Sequence, residues 1–229
     1  MGVSQVQSSA VLCASLERET RTEFLVLQFP VRVVIVVAVN FSPWLIVFLA
    51  VAVAERIYER RYSHNAIRGQ RKMEWSFTAF HSLHVLIYLA TAVENLLCVQ
   101  SVCWTATVAG LLLFSVATVV RLIAIRTLGK FWSLHLEIRE GHQLITSGIY
   151  QYMRHPAYAA IMLEVTAIPL VGNAYWTLLV SLGMYIPLLL VRWRREEAEM
   201  VEKFGKQYEQ YRRAVPAFVP WRRGRWIKE

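Results

Sequence analysis

The sequence predicts an all-α, polytopic integral membrane protein with about five transmembrane helices and both long polar segments on the cytoplasmic side, where a shared site could form. Three observations carry that expectation. Of the 229 residues, 56% are apolar, and the mean hydropathy is +0.38, too apolar for an ordinary soluble domain. The apolar residues are gathered in blocks close to the roughly 20 residues that one helical span requires. The charged residues lie between the blocks with a positive excess: the net charge is +9 and there is no aspartate. The length suits one domain. A basic balance can also mean nucleic acid, but no aromatic-basic platform or groove-reading motif is present. The positive residues flank the spans instead, as the positive-inside rule and anionic lipid headgroups require.

Residues 1–32 form an N-terminal segment. Glu17, Arg18, Glu19, Arg21 and Glu23 break any basic-then-apolar pattern there, so no cleaved signal peptide is read. Val33 to Ala54 reads as one span, and extension upstream to Phe24 still leaves too few residues for two. Asn40-Phe-Ser-Pro43 interrupts it, because an internal proline removes a donor and tilts or kinks a helix. Glu55 to Glu74 reads as a loop whose Arg56, Arg60, Arg61, Arg68, Arg71 and Lys72 fix it as cytoplasmic. Trp75 to Val99 then leads out and Val102 to Ile125 back, so that residues 33–120 hold the N-terminal spans.

Residues 121–220 form the core of the chemistry. A second cytoplasmic segment runs from Arg121 to His155. Ala157 to Val171 leads out, Gly172-Asn173 turns, and Ala174 to Val191 returns. Trp193 to Phe204 reads as a charged helix with a partial apolar stripe of Met200, Val201 and Phe204. Residues 221–229 are a basic tail. From Arg192 onward, eleven Lys or Arg stand against six Glu. Both polar segments and the tail therefore share one side, and the N-terminus lies on the other.

Several residues are read conservatively. Trp75, Trp104, Trp132, Trp176 and Trp193 stand near span ends, where an interfacial aromatic belt accounts for them. Cys13, Cys98 and Cys103 have no metal-like spacing. Cys98 and Cys103 could pair across their short connection, but they read as apolar packing residues. His81 and His84 share a face of the second span without a third ligand at helical spacing, although Glu94 is on the same span. They read as interhelical hydrogen-bonding groups and not as a metal site. Glu164, inside a span, is expected to pair with a polar group of a neighbouring helix or to line a cavity.

The chemistry concentrates in two stretches. The first runs from His142 to Tyr158, a ring-rich polar loop wedged against a span. Gly148 permits a turn, and Pro156 suits the first turn of the next helix, with His155 at its mouth. The free amides of that turn favour a carboxylate. Costly polar groups at a lipid boundary tend to be functional, although Arg154 could merely snorkel and His155 merely cap. The second stretch holds Arg192 and Glu196, which share a helix face. Glu196 and Glu197 point roughly 100° apart, so one ligand meets one of them but hardly both. An interfacial salt-bridge ladder explains the second stretch equally well from spacing alone. No Gly-x-Gly-x-x-Gly, Walker lysine, nucleophile elbow or HExxH occurs.

Taken in order, His142-x-Leu-Ile-Thr-Ser-Gly-Ile-Tyr150, Arg154-His-Pro-x-Tyr158, Asn173, Glu196-Glu197, Phe204-Gly205, Tyr208, Tyr211 and Val215-Pro216 resemble the isoprenylcysteine carboxyl methyltransferases and their phospholipid methyltransferase relatives. The resemblance covers Arg121 to Pro220. It implies S-adenosylmethionine as cofactor, bound in a cytoplasmic cofactor pocket formed by the inter-span loop and the C-terminal helix, and no metal. Carried over by position, His142, Gln143, Leu144 and Ile145 would line the cofactor and Tyr150 would flank it. His155, Pro156, Ala157 and Tyr158 would close the far wall, Glu196 would contact the cofactor, and Arg192 would reach the methyl acceptor. The family's glutamine upstream of the first histidine has no match, since His135 or Glu137 falls near that place.

The acceptor class that this implies is a lipophilic isoprenylcysteine carboxylate entering from the bilayer. A carboxylate is ionised at neutral pH and needs no base, so catalysis would rest on positioning. The same fold with a phospholipid amine, phenolic lipid or small thiol as acceptor is the alternative, and those acceptors need a tyrosine or histidine base. A non-enzymatic membrane scaffold binding partners or anionic lipid is the further alternative. The sequence names neither the membrane nor the oligomeric state.

Overall fold

The structure is a computed structural model that describes residues 24–27, 35–38, 43–64, 70–72, 74–98, 101–132, 136–138 and 144–219. Six helices dominate it: α1 (Pro43–His64), α2 (Glu74–Cys98), α3 (Trp104–Leu128), α4 (Pro156–Val171), α5 (Tyr175–Phe204) and α6 (Lys206–Ala214). Two short antiparallel ladders accompany them, so the fold is helical but not purely so. In the first, β1 (Phe24–Leu27) pairs with β2 (Ile35–Ala38). In the second, β3 (Gln70–Lys72) pairs with β4 (Leu136–Ile138), with Arg71 opposite Glu137.

The first span departs from expectation. The β-branched run Ile35–Ala38 pairs as a strand, and the helix begins only at Pro43. Proline opens this helix instead of kinking it, because the first helical position has no donor to lose. The expected Glu55–Glu74 loop is also half helix, since α1 continues to His64. Among the described residues, three helices are long and apolar enough to cross a membrane: Trp75–Cys98, Trp104–Leu128 and Tyr175–Phe204. The charged second half of α1 and the shorter length of α4 keep those two below that criterion. The return span and the charged helix expected after it are one continuous 30-residue helix, α5.

The most extensive packing is α3 against α4. A Cβ on Gly110 would lie 2.7 Å from the Val171 amide, so only glycine allows that close crossing. The Gly172-Asn173 turn is as expected. Asn173 adopts a positive φ of 55°. Its side chain accepts from the Cys103 amide at 2.8 Å and donates to Thr107 at 2.8 Å, while Asn95 donates to the Gly172 carbonyl at 2.8 Å. One asparagine thus ties the α4–α5 turn to the start of α3.

At the opposite end, the β3–β4 ladder joins the two polar segments between helices. They therefore share one side, as the charge pattern requires. Trp104 and Trp176 are exposed at the turn end and Trp75 at the ladder end, as a belt predicts. Trp132 is an exception, buried in the interior. Trp193 is another, packed edge-on to Phe218 with ring centroids 5.1 Å apart. Cys98 and Cys103 are exposed and unpaired, at the mouths of their helices and not in the packing. Arg121, expected at the edge of a loop, lies inside α3 and is only 2% exposed.

Candidate active site

Four of the expected site residues converge. Ala157, Tyr158, Arg192 and Glu196 line one cavity of about 420 Å³, within the range of small-molecule sites. Tyr158 follows Pro156 in the first turn of α4. Arg192 and Glu196 are one turn apart on α5 and present the same face. The Tyr158 hydroxyl donates to Glu196 and accepts from Arg192 Nε at 3.0 Å. Arg192 also donates to Ser76 of α2 at 3.2 Å and lies over the Phe80 ring, 5.4 Å from its centre. The guanidinium is 8% exposed, so it is a buried charge held on three sides and not a snorkelling surface group.

Glu197 faces elsewhere, as its angular offset from Glu196 requires. It receives Arg154 at 2.6 Å, His155 Nε2 at 2.6 Å and Tyr208 of α6 at 2.8 Å. Arg154 also donates through Nε to the Val215 carbonyl at 2.9 Å. The backbone amides of Arg154 and His155 bond the carbonyls of Pro216 and Ala217 at 3.0 and 2.9 Å. This cluster clips the loop to the chain after α6. Burial and the adjacent Glu197 push the Tyr208 phenol above its ordinary range.

The remaining expected residues divide between these two neighbourhoods. His155 is buried, stacks on Tyr158 with ring centroids 5.5 Å apart and spends Nε2 on Glu197, so it supports the cavity wall from behind. Pro156 is fully buried at the helix start. Leu144 packs on the Tyr208–Tyr211–Val215 cluster, and Ile145 is partly buried. The Tyr150 carbonyl accepts from Tyr211 at 2.6 Å. Burial first, and then the Glu196 charge, push the Tyr150 phenol upward, but Tyr150 is not among the residues that line the cavity. Gly148 has a φ of +58°, the turn its residue type permits. His142, Gln143 and His135 lie outside the described residues, as does the side chain of Glu137.

The structure adds residues that sequence reading assigned elsewhere. Trp132, read as a belt residue, lines the cavity and buries an indole N–H without a hydrogen-bond partner. Arg56 and Glu59, read as loop charges, line its deeper half on α1. Glu164 is wholly buried and pairs with Arg56 and Arg121, as a charge inside a span must. His81 and His84 make the expected interhelical bonds, His81 with Arg60 at 2.8 Å and His84 with Tyr185. Among the described residues, no group of three His, Cys, Asp or Glu is placed to hold a metal.

A scan of family models matches residues 107–202 to the isoprenylcysteine carboxyl methyltransferase family. Those residues, somewhat under half of the chain, are similar to that family. The match spans most of α3, the loop, α4 and nearly all of α5, while α1 and α2, which also line the cavity, lie outside it. The protein-S-isoprenylcysteine O-methyltransferase of Schizosaccharomyces pombe is 42% identical over 34% of this chain and 34% of its own length. The enzyme of the same name from Xenopus laevis is 26% identical over 83% of this chain and 69% of its own. The uncharacterized protein YpbQ of Bacillus subtilis is 29% identical over 69% of this chain and 96% of its own. The Tyr158–Arg192–Glu196 unit falls within the matched region.

Proposed function

We propose that the chain transfers a methyl group from S-adenosylmethionine to a lipophilic acceptor that enters from the bilayer, with isoprenylcysteine carboxylate as the leading acceptor class. The observation that carries this reading is the half-buried Glu196 bonded to the buried Tyr158–Arg192 pair on the wall of an otherwise largely apolar cavity. The residues present fit the cofactor: Glu196 offers a carboxylate to a cation, and Trp132 and the loop offer aromatic and apolar surface. When bound, the cofactor supplies a methyl group on a sulfonium centre.

The side chains do the rest by position. Tyr158 holds Glu196 and Arg192 in fixed relation, so the donor-side carboxylate and the acceptor-side guanidinium cannot drift apart. Over the Phe80 ring, Arg192 offers a planar, permanently charged guanidinium, the group suited to a carboxylate. Side chains of α1, α2, α4 and α5 surround the unit and leave Tyr158 and Arg192 buried, which strengthens these contacts. A carboxylate acceptor loses no proton, so no base is required and alignment supplies the rate. His142 to Ile145 and Tyr150 complete the donor side, with His155, Pro156 and Ala157 forming the wall behind Tyr158.

Val53, Ile57 and Val85 line the cavity while remaining exposed on the outer surface. That arrangement supports lateral entry of a lipid between α1 and α2. In this reading α1 and α4 complete five spans, and the ladder side faces the cytoplasm, consistent with its basic residues. The testing experiment is methyl transfer by purified protein from labelled S-adenosylmethionine to a panel comprising prenylated cysteine, phosphatidylethanolamine, a phenolic lipid and methanethiol. Label on prenylcysteine supports the reading; label on another member alone reassigns the acceptor.

A further inference from the structure

The seam between α1 and α2 carries a polar pair that neither the Tyr158–Arg192–Glu196 unit nor the buried ion network uses. Arg60 and His81 are both exposed and both line the cavity. One terminal nitrogen of Arg60 lies 2.8 Å from His81 Nε2 and 3.2 Å from Nδ1. The His81 ring is itself stacked on Phe77, with centroids 6.2 Å apart and an interplanar angle of 5°. The imidazole thus fixes the guanidinium over the seam instead of leaving it to sweep the surface. Its charge also differs from those deeper in. Arg56 and Arg121 are matched by Glu55, Glu59 and Glu164, whereas the partner of Arg60 among the described residues is an imidazole and not a carboxylate.

Away from the ladder end the seam is apolar. Ile57 and Val53 share the Arg60 face of α1, and Val85 shares the His81 face of α2. All three line the cavity and are between 41% and 50% exposed. From Arg60 to Val53 this stripe runs roughly 10 Å along the helix. A fixed cation at one end of an exposed apolar groove matches an amphiphile with an anionic head and a hydrocarbon chain. A guanidinium meets phosphate oxygens with two parallel donors, and the basic residues of this side enrich anionic lipid near it. A zwitterionic headgroup would bring a second cation to a place that already holds one.

We infer that the α1–α2 seam binds an anionic phospholipid, with its phosphate on Arg60 beside His81 and one acyl chain along Ile57, Val53 and Val85. The groove favours hydrocarbon, as entry of a lipophilic acceptor requires. A phospholipid held there lies across that entrance, so lipid and acceptor compete; this consequence alone rests on the acceptor reading above.

The test titrates phosphatidylglycerol, labelled with a fluorophore at the end of one acyl chain, into the full chain in neutral detergent, with fluorescence anisotropy as readout. Arg60→Gln should weaken binding about tenfold. Arg61→Gln removes the same charge from an exposed neighbour outside the cavity lining, and should weaken binding no more than about twofold. His81→Phe keeps a ring on Phe77 but loses the nitrogens, and should show a smaller loss than Arg60→Gln. Phosphatidylcholine with the same label should bind wild type more weakly, and inorganic phosphate should not displace the labelled lipid. Equal losses in Arg60→Gln and Arg61→Gln overturn the inference, because they signal only general attraction to a basic surface. Equal binding of phosphatidylcholine, or displacement by inorganic phosphate, overturns it as well. Displacement by a prenylated N-acetylcysteine is the expected sign of competition. Its absence, with the Arg60 dependence intact, leaves the lipid site standing and moves the acceptor's route away from this seam.

Discussion

Glu164→Gln should weaken the fold more than any surface change of charge. The native carboxylate is fully buried and accepts from Arg56 Nε at 3.0 Å, from one further Arg56 nitrogen, from Arg121 and from Tyr88 at 3.3 Å. Glutamine keeps the shape but removes the charge, and its amide nitrogen faces donors. Breaking a buried pair typically costs about 3–5 kcal/mol. Arg56 retains Glu59 at 2.6 Å and Arg121 retains Glu55 at 3.2 Å, so the cost belongs at the lower end, about 3 kcal/mol. For a chain of this size that corresponds to a fall of roughly 6–12 °C in Tm. Intrinsic-fluorescence melting in detergent reads it directly. A Glu164→Gln melt within about 2 °C of wild type would refute the view that this network holds α1, α3 and α4 together.

Glu196→Ala should weaken binding of S-adenosylhomocysteine and His155→Ala should do so through the wall it supports, both measured by isothermal titration; unchanged affinity in both moves the donor pocket elsewhere. Glu197→Gln should loosen the loop, since Arg154, His155 and Tyr208 all converge on that carboxylate; faster proteolysis around residues 144–155 than in wild type is the readout, and an identical cleavage pattern argues against the clip. Cysteine-accessibility labelling should place Arg68 and Lys206 positions on the same side, and labelling from opposite sides contradicts the topology.

Much of the site could be read from residue order because its parts are local. Pro156 opening a helix, Gly148 in a left-handed turn, the Asn173 reversal and the divergence of Glu196 from Glu197 follow from backbone rules that act over a few residues. The expectation that Glu164 pairs across helices followed from the cost of a lone charge in hydrocarbon. What it paired with did not: Arg56 and Arg121 stand 108 and 43 residues away, and in isolation both read as loop-edge cations. The charges of Glu55 to Arg61 signalled a loop, yet they extend a helix because their partners lie across the bundle. Trp132 read as a belt residue for the same reason, since nothing local shows that it turns inward. The β-ladders were missed because strands of three or four residues leave too short a pattern inside an apolar or basic run.

The central claim is that Arg192 holds an acceptor carboxylate in line with the donor. Steady-state kinetics of Arg192→Lys with prenylcysteine, varying each substrate separately, test it most directly. Lysine keeps the charge but cannot both hold Tyr158 and offer a planar fork. Acceptor kcat/KM should fall roughly ten- to a hundredfold, equivalent to about 1.5–3 kcal/mol, with donor affinity little changed. Wild-type acceptor kinetics in Arg192→Lys alongside an inactive Glu196→Ala would contradict the carboxylate assignment and leave the phenol, thiol and amine acceptors in its place.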